Sequence, residues 1–240
     1  MTGFNNLFIN LPPRLPYDQM THDLQAIGFR IGDLTSKASV IPDIEKTLYF
    51  ASIEGLIFTD YRVLSILTTW LSVHSKMINA DKLYKIIIAN QAPDLVRAYW
   101  RGVGEWLRKD LRLRKYLTLY SGPRLDLYAE GPVDLMIQRK GEDRRFKDTC
   151  VRASNEFLRD RMEDVDTREI LLQKHPTYYW RAVIGANYRA DIWSHLTRYP
   201  KSSTADAARA TNCNIVSTKI IHDEWKLVNI LVKNSREAAA

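Results

Sequence analysis

Between residues 189 and 227 the chain reads RADIWSHLTRYPKSSTADAARATNCNIVSTKIIHDEWKL, and the spacing of its apolar residues against its breaks admits few folds. Ile192, Leu196 and Tyr199 recur at intervals of four and three, which lays an apolar stripe along one helical face over residues 189–199. Pro200 stops that helix, because proline lacks the amide proton and crowds the preceding turn. Ser203 or Thr204 can cap a short second helix by satisfying an orphan amide with a hydroxyl. Ala205, Ala207, Ala208 and Ala210 are small enough for another helix to cross it closely. Thr211-Asn212-Cys213-Asn214 then supplies a turn, with Asn212 tolerating left-handed backbone and Asn214 capping a third helix over residues 215–227.

This order of elements is that of a helix-turn-helix. In such units the last helix enters the DNA major groove with its first turns against base edges. The candidate contacts are Asn214, Ser217, Thr218, Lys219 and His222. The polar side chains can hydrogen-bond to bases or phosphates, and Lys219 adds positive charge for the backbone. The plainer reading of the same residues is the solvated face of an amphipathic helix. Ile215 and Val216 suit either an exposed helix start or core, so spacing leaves the facing open.

The wider segment resembles the C-terminal winged helix-turn-helix of a group of presumed bacterial transcriptional regulators. Those proteins carry an Arg-x-x-x-Gly-x-Asn-x-Arg-Ala-Asp stretch leading into the first helix. The matching residues are Arg181, Gly185, Asn187, Arg189, Ala190 and Asp191, with Ala208, Arg209, Ala210, Thr211 and Cys213 in the turn region. The resemblance covers roughly the last quarter of the chain and implies double-stranded DNA as partner, without naming an operator. The sequence departs from it in two ways. Asn212 stands where glycine is usual, and Val228-Asn229-Ile230-Leu231-Val232 is followed by no second wing strand.

With 240 residues, 45% of them hydrophobic and 26% charged, the chain can bury a substantial core. Its net charge of +7 favours a polyanionic partner. Cys150 and Cys213 match no metal-ligand spacing and suit a reducing cytoplasm as free thiols. Apolar runs such as Ile86-Ile87-Ile88-Ala89 fall far short of a membrane span, so no membrane association is expected.

Residues 1–42 read as an arm, with Pro12, Pro13 and Pro16 preceding a helix over 17–27 and with Leu7, Phe8, Ile9 and Leu11 able to pack on this chain or a second copy. Residues 43–138 read as a helical domain. Pro42-Asp43 opens one helix, others follow over 60–74 and 79–89, and Asp94 starts a longer one through Leu107. Tyr61, Arg62 and Ala80-Asp81 can be laid against Tyr188, Arg189 and Ala205-Asp206, which suggests a first helix-turn-helix here. Arg97, Arg101, Arg108, Lys109, Arg112, Arg114 and Lys115 form the densest positive run, with Arg108, Lys109, Arg112 and Arg114 as candidate phosphate contacts. The aromatic and branched residues of 114–120 and 124–128, on either side of Ser121-Gly122-Pro123, suggest a β-hairpin in the place of a wing, and Val133 to Ile137 a further strand. Residues 139–180 read as a connector with helices over 146–162 and 167–173, and 181–240 as the C-terminal helix-turn-helix. The fold class expected is therefore mainly α, the N-terminal domain itself resembling a winged helix with a small hairpin.

Catalytic arrangements fit poorly. Asp126, Glu130, Asp134 and Lys140 have the residue types of a magnesium-dependent nuclease without its spacing, and Pro132 sits where a nucleotidyltransferase needs its first acid. His22, His74, His175, His195 and His222 are scattered, and no phosphate-binding glycine loop occurs. The expectation is a non-enzymatic, cytoplasmic, homodimeric regulator of transcription without cofactor or metal. The alternatives are a helical module holding a toxin or nuclease partner and, behind it, a metal-dependent nuclease or nucleotidyltransferase.

Overall fold

The computed structural model describes residues 12–32, 41–128 and 132–238, without the side chains of 232–238. The candidate arm residues Leu7, Phe8, Ile9 and Leu11 and the candidate acid Glu130 lie outside the described residues. The protein is mainly helical: among the described residues are eleven α-helices, three 3-10 segments and a two-stranded parallel sheet. The chain divides into two compact units, residues 1–73 with 83–166, and residues 74–82 with 167–240. Among the described residues no helix is long and apolar enough to cross a membrane.

The first unit is built on α1 (Tyr17–Ala26), α2 (Ile44–Leu56), α3 (Tyr61–His74), α4 (Ala80–Ala89) and α5 (Asp94–Trp106). Asp43 caps α2 by accepting from the Lys46 amide at 3.0 Å. The core carries its own polar partners. Trp70 donates from Nε1 to the Ile27 carbonyl at 3.0 Å, and Trp100 donates to Ser52 Oγ at 3.0 Å. Tyr99, fully buried, shares a 3.0 Å hydrogen bond with Thr68. Each large ring is thus buried with its polar atom satisfied.

Three sequence expectations are corrected here. Residues 114–120 form no strand, because Leu111–Thr118 is a 3-10 segment. Leu113, Tyr116 and Leu119, all buried, recur every three residues, and three is the 3-10 period. Asp110 starts the segment by accepting from the Arg112 amide. Without that strand there is no hairpin: β1 (Leu125–Asp126) pairs in parallel with β2 (Val151–Arg152). The strand expected at Val133 to Ile137 is instead α6 (Val133–Lys140), with Pro132 at its N-cap position and Asp134 in its first turn.

Residues 146–162 are not a helix either. Asp148 and Glu156 have φ of 63° and 70°, which interrupt it. The Arg124 guanidinium donates to the carbonyls of Phe146, Thr149 and Val151, taking the place of helical amides. β2 lies so close to α5 that a Cβ on Gly102 would meet Val151 Cγ2 at 2.6 Å. Glycine is required at that crossing.

The second unit holds α7 (Arg168–Lys174), α8 (Pro176–Ile184), α9 (Tyr188–Arg198), α10 (Thr204–Thr211) and α11 (Ile215–Ala238). Among the described residues no winged helix-turn-helix is formed, since the candidate wing strand of this unit, residues 228–232, continues α11. Its sequence holds no proline or glycine from Ile215 to Ala238, so nothing interrupts propagation of the hydrogen-bond ladder.

Candidate nucleic-acid interface

α9, α10 and α11 pack around Ile192, Leu196 and Ala207, with Cys213, Ile221 and Trp225 closing on them. Each junction is fixed by a local hydrogen bond. Ser203 Oγ accepts from the Asp206 amide at 3.1 Å and donates back to its carboxylate at 2.6 Å, which caps α10. Together with Arg209, Ser203 holds the Asp206 carboxyl below its ordinary value. Asn212 follows α10 with φ 54° and ψ 32°, left-handed backbone that lets the chain reverse. Asn214 Oδ1 accepts from the Ser217 amide at 2.8 Å and starts α11.

The segment matching the regulator motif has a structural task. Arg181 and Asp191 are almost fully buried, and the guanidinium donates to Asp191 Oδ1 from Nε at 2.8 Å and from Nη2 at 2.7 Å. Its Nη1 donates to the Met77 carbonyl at 2.7 Å, and Asn79 donates to Asp191 Oδ2 at 2.8 Å. Gly185, at φ 86°, ends α8, and Asn187 accepts from the Ala190 amide at 3.1 Å to begin α9. Arg189 reaches Glu224 on α11 at 3.3 Å. These residues orient the three helices, and only Arg189 among the charged ones stays exposed.

The candidate contact residues on α11 divide between two faces. Asn214 and Lys219 are exposed and Ser217 is half-buried. Thr218 is 0% exposed and donates its hydroxyl to the Asn214 carbonyl at 2.8 Å. His222 is 4% exposed, and its Nδ1 lies 2.9 Å from Thr204 Oγ1 on α10. Thr218 and His222 therefore brace the unit from inside. Sequence reasoning missed Ile220, which is 58% exposed beside Val216 at 69% and Ile215 at 56%. The signal was available: 218, 221, 222 and 225 share one side of the helix, which turns 216 and 220 away from it.

Burial lowers the pKa of His195 on α9 and of His222 on α11. His195, whose Nε2 is 2.9 Å from Ser202 Oγ, is lowered further by Arg198 and raised by Asp206. His222 is lowered further by Lys226 and raised by Asp223.

In the first unit the basic run is not uniformly available. Arg97 pairs with Asp94 at 2.6 Å, Arg101 with Glu105 at 2.9 Å, and Arg112 with Asp110 at 2.6 Å. Arg108, Lys109 and Arg114 are exposed, and among the described residues no ion pair engages them. Of the acids considered for catalysis, Asp126 and Asp134 are compensated. Arg152 bonds both Asp126 and Asp134, and Lys140 pairs with Glu156 at 2.9 Å. Among the described residues no His, Cys, Asp and Glu cluster could hold a metal ion. Burial first, and Glu105 second, push the Cys150 thiol up to about 12, which leaves it protonated and unreactive at neutral pH.

No protein-family model, curated protein or solved structure matches the chain.

Proposed function

We propose that this protein is a DNA-binding transcriptional regulator whose helix α11 enters the major groove by its first two turns, working as a homodimer on a two-fold-related site. The observation that carries the reading is the capped, left-handed turn between α10 and α11, which leaves Asn214, Ser217 and Lys219 open to a ligand. Asn214 and Ser217 have the groups for base edges or phosphate oxygens, and Lys219 for phosphate. Ile215, Val216 and Ile220 add apolar surface of the kind that meets thymine methyls. Thr218 and His222 take no part in contact under this reading and support the helix instead.

The test is binding to DNA from upstream of the protein's own gene, titrated at controlled salt. Lys219→Glu is expected to weaken binding by about tenfold or more and to lower the salt slope by about one. Unchanged affinity would remove α11 from the interface.

A second reading is a module that holds a protein partner, and the exposed Val216 and Ile220 favour it. It predicts no DNA shift at low salt and partner binding that survives Lys219→Glu.

A further inference from the structure

Just after α6, two stretches of the first unit are drawn together by a short antiparallel bridge between Glu142 and Ser154. The Asp143 amide donates to the Ala153 carbonyl at 2.9 Å, and the Asn155 amide to the Gly141 carbonyl at 2.8 Å. Glu156, at φ 70°, turns the chain, and the Phe157 amide closes that turn on the Ser154 carbonyl at 3.1 Å. Side chains of 143–145 and 155–160 thereby line one open cleft of about 560 Å³, a volume within the range of small-molecule sites.

We infer that this cleft binds a small phosphorylated polyol, a sugar phosphate, through its arginines. Arg145 is held by its neighbours: Nε donates to Asp143 Oδ1 at 3.0 Å, Nη2 donates to Oδ2 at 2.6 Å and also reaches the Leu158 carbonyl, and Asp143 itself is buried. Among the described residues no hydrogen bond engages its Nη1, which is left as a positioned donor. Arg144 and Arg159 also line the cleft, are exposed and form no ion pair among the described residues. Guanidinium groups present paired donors that match the oxygens of a phosphate group. Of the acids in the lining, Asp143 is used by Arg145 and Glu156 by Lys140 at 2.9 Å, which leaves Asp160 against two uncommitted arginines.

The rest of the lining narrows the ligand. Leu158 is the one apolar residue among the described lining and is itself buried, so the walls give a nucleobase or an acyl chain no apolar surface to rest on. Asn155 and Asp160, both exposed, supply an amide and a carboxylate that bond to hydroxyl groups. A DNA duplex fits less well, because Glu156 and Asp160 oppose its unbroken row of phosphates, whereas a single phosphate group can meet the arginines alone. Such a site stands whether or not α11 binds DNA.

Isothermal titration of the full chain with ribose phosphate is expected to show binding at submillimolar concentration, with inorganic phosphate competing for the same site about tenfold more weakly and free ribose not bound at about 10 mM. Arg144→Gln with Arg159→Gln should weaken both anions about tenfold or more with the thermal unfolding midpoint unchanged, because both side chains are exposed. Asp160→Ala should bring the affinity for ribose phosphate down toward that of inorganic phosphate without weakening inorganic phosphate, an effect that removal of a repelling charge alone does not produce. Neither anion binding to the parent chain, binding unchanged in the paired arginine variant, or Asp160→Ala strengthening both anions alike overturns the inference. So does a DNA salt slope that falls by about two in the paired variant, which gives both arginines to the nucleic-acid backbone. Phosphate binding lost in the paired variant beside an unchanged DNA slope upholds it.

Discussion

Asp191 shows how a residue can be legible as part of a motif while its task is not. Its carboxylate, buried with Arg181 and Asn79 against it and with the Met77 carbonyl on the far side of the guanidinium, completes a network whose bonded partners lie up to 112 residues apart. Removing one partner of a buried pair leaves the other charge desolvated, so Asp191→Ala is expected to lower stability by about 3–5 kcal/mol. Denaturant unfolding followed by tryptophan fluorescence would measure the loss, and a change under about 1 kcal/mol would mean that the pair is accessible to water. The sequence showed the spacing of Arg181 and Asp191 but could not show Met77 and Asn79 arriving from a distant segment. Asn212 is the opposite case, because its role as a left-handed turn residue follows from its type and place. Asn212→Gly should be neutral or stabilise by up to about 1 kcal/mol, since glycine adopts φ 54° without a Cβ penalty. A β-branched Asn212→Val should cost about 1–2 kcal/mol in the same assay.

At the level of elements, the helices with caps or breakers in the sequence form close to where spacing puts them. Asp43 before α2, Pro93 before α5 and Ser203 before α10 each fix a start within a turn. Segments shaped by distant partners were not legible: Leu111–Thr118 takes the 3-10 period from its buried face, and 146–152 is held open by Arg124. On α11 the helical period groups Thr218 with His222 and apart from Val216 and Ile220, but spacing left the facing open, and which side turns inward needed the position of α10. The histidines that join these elements make the second unit sensitive to acid. His195 and His222 both have folded pKa values below 6.5, so as pH falls below 6.5 the unfolded chain takes up protons that the folded chain resists. Their contribution is complete above 6.5 and is lost as pH falls through the lower folded values. The urea midpoint should therefore decrease between pH 7.5 and 5.5, and His195→Gln with His222→Gln should flatten that decrease. An equal decrease in the double variant would assign the acid sensitivity to other groups.

Across the whole molecule, a net charge of +7 says that phosphate contacts are affordable but not where they fall. Ion pairing narrows the choice in the first unit. Arg112 already spends its guanidinium on Asp110, with its Nε and Nη2 bonded to the two carboxylate oxygens at 3.0 and 2.6 Å. Arg108, Lys109 and Arg114 remain exposed on the same stretch of chain. If DNA runs along this stretch, each of these three neutralises a phosphate and releases counterions, and the slope of log affinity against log salt records their number. Replacing Arg108, Lys109 and Arg114 by glutamine together should reduce that slope by roughly 2–3, while Arg112→Gln should change it by less than about one. Affinity should fall most at low salt, where counterion release contributes most, and the difference between parent and variant should narrow as salt rises. The measurement separates the two units, because Lys219→Glu would keep its own effect in the triple variant if α11 binds independently. A slope identical in parent and triple variant would clear this stretch of any phosphate contact and leave the second unit as the only proposed DNA-binding surface.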